Sequence, residues 1–189
     1  MSAVLDRFIP RPDVRERHET TIRAPAGLVL DMARHFDMQS IRPIRALFWL
    51  RAKLLGARLP AVKRSTGLVA DMLALGWGCL VDEPDRCFVA GASCQPWQAD
   101  VVFVPIAAAH FAIYAEPDRV KIAWTLEAEA LGPVLTRFAT ETRVVATDDR
   151  ARAKFRRYWR VFRIGIVMIR RLLLSTLRRQ AEQQWRTTV

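Results

Sequence analysis

Acidic residues are scarce where this 189-residue chain is longest in pattern. From Arg150 to the end, twelve basic side chains face one acid, Glu182, and that stretch alone accounts for the net charge of +11. A second acid-free stretch, Met38 to Ala70, holds Arg42, Arg45, Arg51, Lys53, Arg58, Lys63 and Arg64. The positive charge therefore sits in two blocks, and the rest of the chain is net negative. Cysteine is also rare. Cys79, Cys87 and Cys94 are an odd count without metal-ligand spacing, and only His18, His35 and His110 could join them, so they read as reduced structural residues and no metal site is expected. No apolar run reaches about 18 residues, which predicts no membrane span. Met1 to Pro12 has neither a continuous apolar core nor a cleavage-like site, and the expectation is a cytoplasmic chain, with the inner membrane face as a second location. There is no glycine-rich phosphate loop, nucleophile elbow, HExxH or Cys-x-x-Cys motif, and no cofactor is expected.

What the chain does have is one long periodic segment. Phe155, Trp159, Phe162, Ile166, Ile169, Leu173 and Leu177 recur at spacings of three and four and fall on one helical stripe. Thr147-Asp148-Asp149 supplies a cap and first-turn carboxylates, so a helix is predicted over Asp148 to Gln184. Some 37 residues would span about 55 Å. That is longer than one sheet requires, so either Gly165 marks a bend or the end after Arg178 projects.

Upstream, residues 1–13 read as an irregular arm with Pro10 and Pro12, 14–184 as a single domain, and 185–189 as a tail. Val14 to Ile22 reads as a first strand. Ala24-Pro25 starts a helix through Leu28, Val29, Met32 and Phe36. Ile41 to Leu55, capped by Ser40 and stopped by Gly56 and Pro60, is a second helix, and a short helix follows around Leu68 to Leu73. Strands are then expected over Gly76 to Val81, Arg86 to Cys94, part of Phe103 to Ala115, Arg119 to Ala130 and Val134 to Ala146, with Glu-Pro-Asp turns at 83–85 and 116–118. Ile122, Trp124 and Leu126 share one strand face against Lys121, Thr125, Glu127 and Glu129. This order predicts an α+β fold: a curved antiparallel sheet with one solvated face, gripping the long C-terminal helix on the other, with short helices between the first and second strands.

Several phrases resemble the START-related helix-grip superfamily (SRPBCC, polyketide cyclase/dehydrase-like), and within it a bacterial branch to which no activity is assigned. They are Arg17-His18-Glu19-Thr20-Thr21-Ile22-Arg23-Ala24-Pro25, the strand Thr140-Glu141-Thr142-Arg143-Val144, and its continuation through Ala146-Thr147-Asp148 into Phe155-Arg156-Arg157-Tyr158-Trp159-Arg160. The resemblance covers most of residues 14–182. It implies a cavity for a hydrophobic small molecule or lipid between sheet and helix, but no particular reaction, and it carries over no catalytic residue.

The lining expected of such a cavity is Trp77, His110, Tyr114, Trp124, Tyr158, Trp159 and Phe162. An enzyme of cyclase or aromatase type would need a proton-transfer group there, for which His110 and Glu141 are candidates; Glu141 and Arg143 share a strand face and also read as a structural pair. The basic blocks offer solvated helix faces or contact with an anionic membrane surface through Arg42, Arg45, Arg51, Arg163 and Arg171. Nucleic acid ranks last, since no groove-reading motif accompanies the charge. Ile164, Val167 and Leu174 are expected to point away from the main stripe, a surplus that calls for a membrane, a second copy of the chain, or the Ile41–Leu55 helix.

Overall fold

The computed structural model describes residues 3–57 and 65–188. In chain order the elements are α1 (Ala3–Asp6), β1 (Val14–Ile22), α2 (Ala26–Arg34), one tight turn at Met38–Ser40, α3 (Arg42–Leu55), α4 (Leu68–Ala74), β2 (Gly78–Glu83), β3 (Cys87–Cys94), β4 (Val104–Pro105), α5 (Ala108–Phe111), β5 (Val120–Gly132), β6 (Leu135–Ala146) and α6 (Asp149–Thr188). Pro60, Arg58, Lys63 and Arg64 lie outside the described residues. The six strands form one antiparallel sheet in the order β1-β6-β5-β3-β2, with β4 extending the β2 edge alongside β3. This is the curved, open sheet with a long terminal helix that the sequence predicts.

Alternation along the strands separates the two faces. Phe88, Trp124, Leu126 and Phe138 turn toward the helix side and pack with Leu30, Leu173 and Leu177. Nearer the start of α6, Val120 and Val144 meet Phe155. Both Glu-Pro-Asp turns form, and in each the Asp takes a left-handed backbone, at φ 64° for Asp85 and 57° for Asp118. Asp accepts that conformation because its short side chain bonds locally.

The far side of the sheet departs from expectation. It is covered in part: Leu5, Phe8 and Ile9 pack with Val89, Ala123, Ile106 and Phe111, while Glu19, Glu129 and Arg137 stay exposed on the same face. Residues 3–13 therefore form a strap, one helical turn followed by irregular chain, laid against that face. Leu5, Phe8 and Ile9 sit three and four apart, which puts them on one side of a single helical turn. Within Phe103 to Ala115 the expected strand is the two-residue β4, and the short helix α5 follows it.

The long helix runs uninterrupted through Gly165 for 40 residues, about 60 Å at 1.5 Å per residue. Its end does not project as a tail: Ala181 is fully buried and Trp185 packs on the helix-side core. Asp148 caps it, its Oδ1 accepting from the Ala151 N–H at 2.7 Å and its Oδ2 from the Asp118 N–H. These backbone donors, Ala151 first, hold the Asp148 carboxyl below the usual carboxylate range. A depressed folded-state value means that its contribution is fully present above the ordinary carboxylate range and is lost as pH falls through the lowered value. Asp148→Asn keeps a capping oxygen but cannot titrate. The melting-temperature gap between wild type and this variant is therefore expected to close as pH drops from about 5 to about 2. A gap independent of pH would refute the assignment.

Candidate functional site

The residues expected to line a cavity are divided between the two sides of the sheet. Trp77 packs against Phe103, ring centroids 5.2 Å apart, in the helix-side core. Trp124 sits edge-on to Phe88 and donates from Nε1 to Thr140 Oγ1 at 2.9 Å. Tyr158, Trp159 and Phe162 form a half-buried aromatic run with Phe155 along α6. Tyr114 belongs to the far side, where its hydroxyl donates to the Glu116 carboxylate. His110 is exposed on α5 and not on a buried strand.

Glu141 also faces the far side, because β6 alternation sends Thr140 and Thr142 toward α6. It is fully buried and bonded to Arg15 at 2.8 Å, Arg17 at 3.3 Å and Arg143 at 2.8 Å. Both proton-transfer candidates thus lie outside the grip, one exposed and one held in ion pairs.

A polar group that the sequence reading passed over does enter the grip. Arg170 appears in the sequence as an interruption of an apolar run. In the structure its Nη1 donates to Thr140 Oγ1 at 3.0 Å and its Nη2 to Thr142 Oγ1, while its enclosed Nε makes no hydrogen bond. Burial lowers its pKa to about 10. The available signal was spacing: Arg170 is four residues after Ile166 and three before Leu173, beside the inward stripe. Next to it, His18 has an enclosed Nε2 that lies 3.6 Å from the Glu16 carboxylate. Burial first, then the Arg170 charge, lowers the His18 pKa.

The most distinctive surface is made by α3 and α6. The helices run antiparallel, with Leu47 against Gly165 and the Arg51 Nε donating to the Tyr158 hydroxyl at 3.5 Å. Arg51 also donates to the Pro96 carbonyl, so it is turned inward and does not join the exposed cations. On α6, Val161, Ile164 and Met168 fall at spacings of three and four, and on α3 Leu50 and Leu54 are four apart. The helical turn sense places both sets on the outer side of the pair. These five side chains are 45–69% exposed. Phe48 and Trp49 add two half-exposed aromatics on α3. Of the surplus apolar residues expected here, Ile164 is exposed, Val167 is half-buried and Leu174 is buried. Leu174 is covered because α2 also packs on α6, which widens the buried arc of its C-terminal half.

Cations surround this face. Arg42, Arg45, Lys53, Arg157, Arg160, Arg163 and Arg171 are all exposed, and none makes an ion pair among the described residues. No acid occurs within α3, or in α6 between Arg150 and Ala181. Two open grooves lie elsewhere. One, of about 720 Å³, runs between β1 and α6 past His18, Thr20, Arg171, Ser175 and Arg179. The other, of about 420 Å³, lies among Asp31, His35, Phe36 and Gln184. Among the described residues no helix is long and apolar enough to cross a membrane, and no group of three or more His, Cys, Asp or Glu side chains could hold a metal ion.

No protein-family model matches the sequence, and no curated protein matches it. Among solved structures, the chain is similar to a hypothetical protein from Helicobacter pylori at 12% identity over 93% of each chain, with a TM-score of 0.43. It is also similar to a protein from Deinococcus radiodurans at 15% identity, covering 80% of this chain and 99% of that one, with a TM-score of 0.31.

Proposed function

We propose that this chain is a peripheral membrane module that docks the outer face of α3 and α6 on an anionic bilayer. The observation that carries the reading is the exposed aliphatic set Leu50, Leu54, Val161, Ile164 and Met168, ringed by cations without ion-pair partners among the described residues, on α3 and on the acid-free part of α6 from Arg150 to Ala181. Apolar burial contributes about 25 cal/mol per Å² removed from water. Each Arg or Lys held near an anionic surface contributes about 1 kcal/mol more at moderate salt. The two terms add in interfacial helices.

Vesicle cosedimentation tests this. Wild-type protein is expected to bind phosphatidylcholine vesicles containing phosphatidylglycerol at low ionic strength and to release as salt shortens the Debye length. The double variant Ile164→Asp/Met168→Asp is expected to lose binding with an unchanged melting temperature, because both positions are exposed. Absence of wild-type binding at low ionic strength would eliminate the proposal. A dimer that the same variant dissociates, without vesicle binding, would reassign the face to a second copy of the chain.

The resemblance to the START-related helix-grip superfamily supports a second reading, in which a hydrophobic small molecule or lipid is held between sheet and α6. One observation favours it: Arg170 Nε and Trp77 Nε1 are enclosed on the helix side without hydrogen-bond partners. Buried polar atoms are nearly always paired, through water or a ligand where protein partners are lacking. Native mass spectrometry of the purified protein should then show a copurifying mass, and a bare polypeptide mass after gentle isolation would count against it. The cyclase-type alternative is not carried forward, since its acid–base candidates His110 and Glu141 lie on the other side of the sheet.

A further inference from the structure

The geometry points to the groove between β1 and α6 as a binding site for a phosphomonoester group, held by Arg171, Ser175 and Arg179 from the helix and His18 and Thr20 from the strand. On α6, Arg171, Ser175 and Arg179 are each four residues apart, so their side chains rise along one face over about 12 Å. On β1, His18 and Thr20 are two apart and share the strand face that looks at the helix. All five line the groove of about 720 Å³.

The acids in the groove are already engaged. Glu182 accepts from Arg178 at 3.2 Å and from the Arg23 N–H at 3.1 Å, and Glu19 accepts from Arg17 at 3.3 Å. Arg171 and Arg179 have no ion-pair partner among the described residues, and the charge of Arg170, held on Thr140 and Thr142, is felt by His18. The His18 Nε2 is enclosed and makes no hydrogen bond, with the Glu16 carboxylate 3.6 Å away. The site thus presents two guanidinium groups without ion-pair partners among the described residues, an imidazole, and the hydroxyls of Thr20 and Ser175, the latter donating to the Leu172 carbonyl at 3.0 Å until a stronger acceptor enters. A dianion with three acceptor oxygens matches that set, because guanidinium forks bind phosphate oxygens in pairs.

Position links the groove to the face described above. Val161, Ile164, Met168, Arg171 and Ser175 continue one stripe at spacings of three and four, so the groove opens one turn beyond the apolar patch. The phosphomonoester can therefore belong to the headgroup of a lipid in a docked bilayer or to a soluble phosphorylated molecule. Only the lipid source rests on the docking reading.

The test has two arms. In the first, the imidazole resonances are followed by NMR while inorganic phosphate is titrated against sodium chloride of equal ionic strength, with His18→Gln assigning the signal. Phosphate is expected to shift His18 saturably and to raise its pKa, leaving His35 and His110 unmoved. Arg171→Ala/Arg179→Ala is expected to weaken the titration by at least about tenfold, the scale of losing a charge-assisted hydrogen bond. Both arginines are exposed and unpaired, so the variant keeps its fold. The same response to chloride as to phosphate, or an undiminished titration in the double variant, would overturn the site.

In the second arm, vesicles carry phosphatidic acid or phosphatidylglycerol at matched surface charge. A preference for phosphatidic acid that disappears in the double variant assigns the lipid source; equal binding to both, with the first arm positive, assigns a soluble phosphorylated ligand. Ile164→Asp/Met168→Asp separates the readings, since it abolishes vesicle binding while leaving the phosphate titration intact.

Discussion

Glu141→Ala is expected to destabilise the protein by about 3–5 kcal/mol, the usual cost of removing one partner from a buried ion pair. Glu141 is fully buried and gathers Arg15, Arg17 and Arg143 around one carboxylate. Arg143 is itself 2% exposed. Without Glu141 its guanidinium keeps Asp6 at 2.6 Å and the Ile9 carbonyl at 2.8 Å, and both belong to the strap that covers the far side. The loss should therefore appear in urea unfolding as a lowered midpoint, with enhanced amide exchange across α1. The double variant Glu141→Leu/Arg143→Leu should recover much of the stability, because apolar groups of similar volume often replace buried pairs without loss. A single-variant effect below about 1 kcal/mol would mean that the network is solvated and that its burial contributes little.

The second large effect comes from the long helix. Leu177→Ala should cost about 2–5 kcal/mol, since a fully buried leucine loses its transfer energy and leaves a cavity. Ile164→Ala, four turns earlier on the same helix, should stay within about 0.5 kcal/mol, as exposed substitutions do. Thermal or urea denaturation measures both. The contrast tests whether α6 has two separate roles, one seating it on the sheet and one facing outward. A large cost at Ile164 would show that the outer face is covered in solution by something that stabilises the fold.

The parts of this fold readable from sequence are those set by local chemistry. The α6 stripe, the Asp148 cap, the Gly56 stop and both Glu-Pro-Asp turns depend on residues within a few positions of one another. The alternation of β5 likewise puts Ile122, Trp124 and Leu126 together on the face that meets the helix. What escaped was set by distant partners. The strap is defined by Leu5, Phe8 and Ile9 finding Val89 and Ala123, and nothing near residue 5 announces that contact. The apolar neighbours of His110 suggest a strand lining the cavity, whereas they make one turn of helix and leave the imidazole exposed. Of the outer face of α3 and α6, the charge and Ile164 were legible; Val161, Met168, Leu50 and Leu54 required knowing that α3 lies against α6. Arg51 looks like its exposed neighbours in sequence and turned inward only because Tyr158 and the Pro96 carbonyl lie opposite.

The pairing of β1 with β6 also governs how the chain reaches this structure. Val14 sits opposite Val144 and Ile22 opposite Thr136, so the first strand of the sheet has no neighbour until the last strand exists. The strap waits as well, because its anchor is Arg143. During synthesis from the N-terminus, β1 emerges from the ribosome more than a hundred residues before β6, and Leu5, Phe8 and Ile9 likewise precede Val89, Ile106, Phe111 and Ala123. Contacts of such long sequence separation slow folding, and unpaired strands are prone to aggregation while they wait. The Arg- and Glu-rich composition of Val14–Ile22 fits that interval: Arg15, Glu16, Arg17 and Glu19 keep an unpaired strand charged and soluble until residues 135–146 arrive to pair with it.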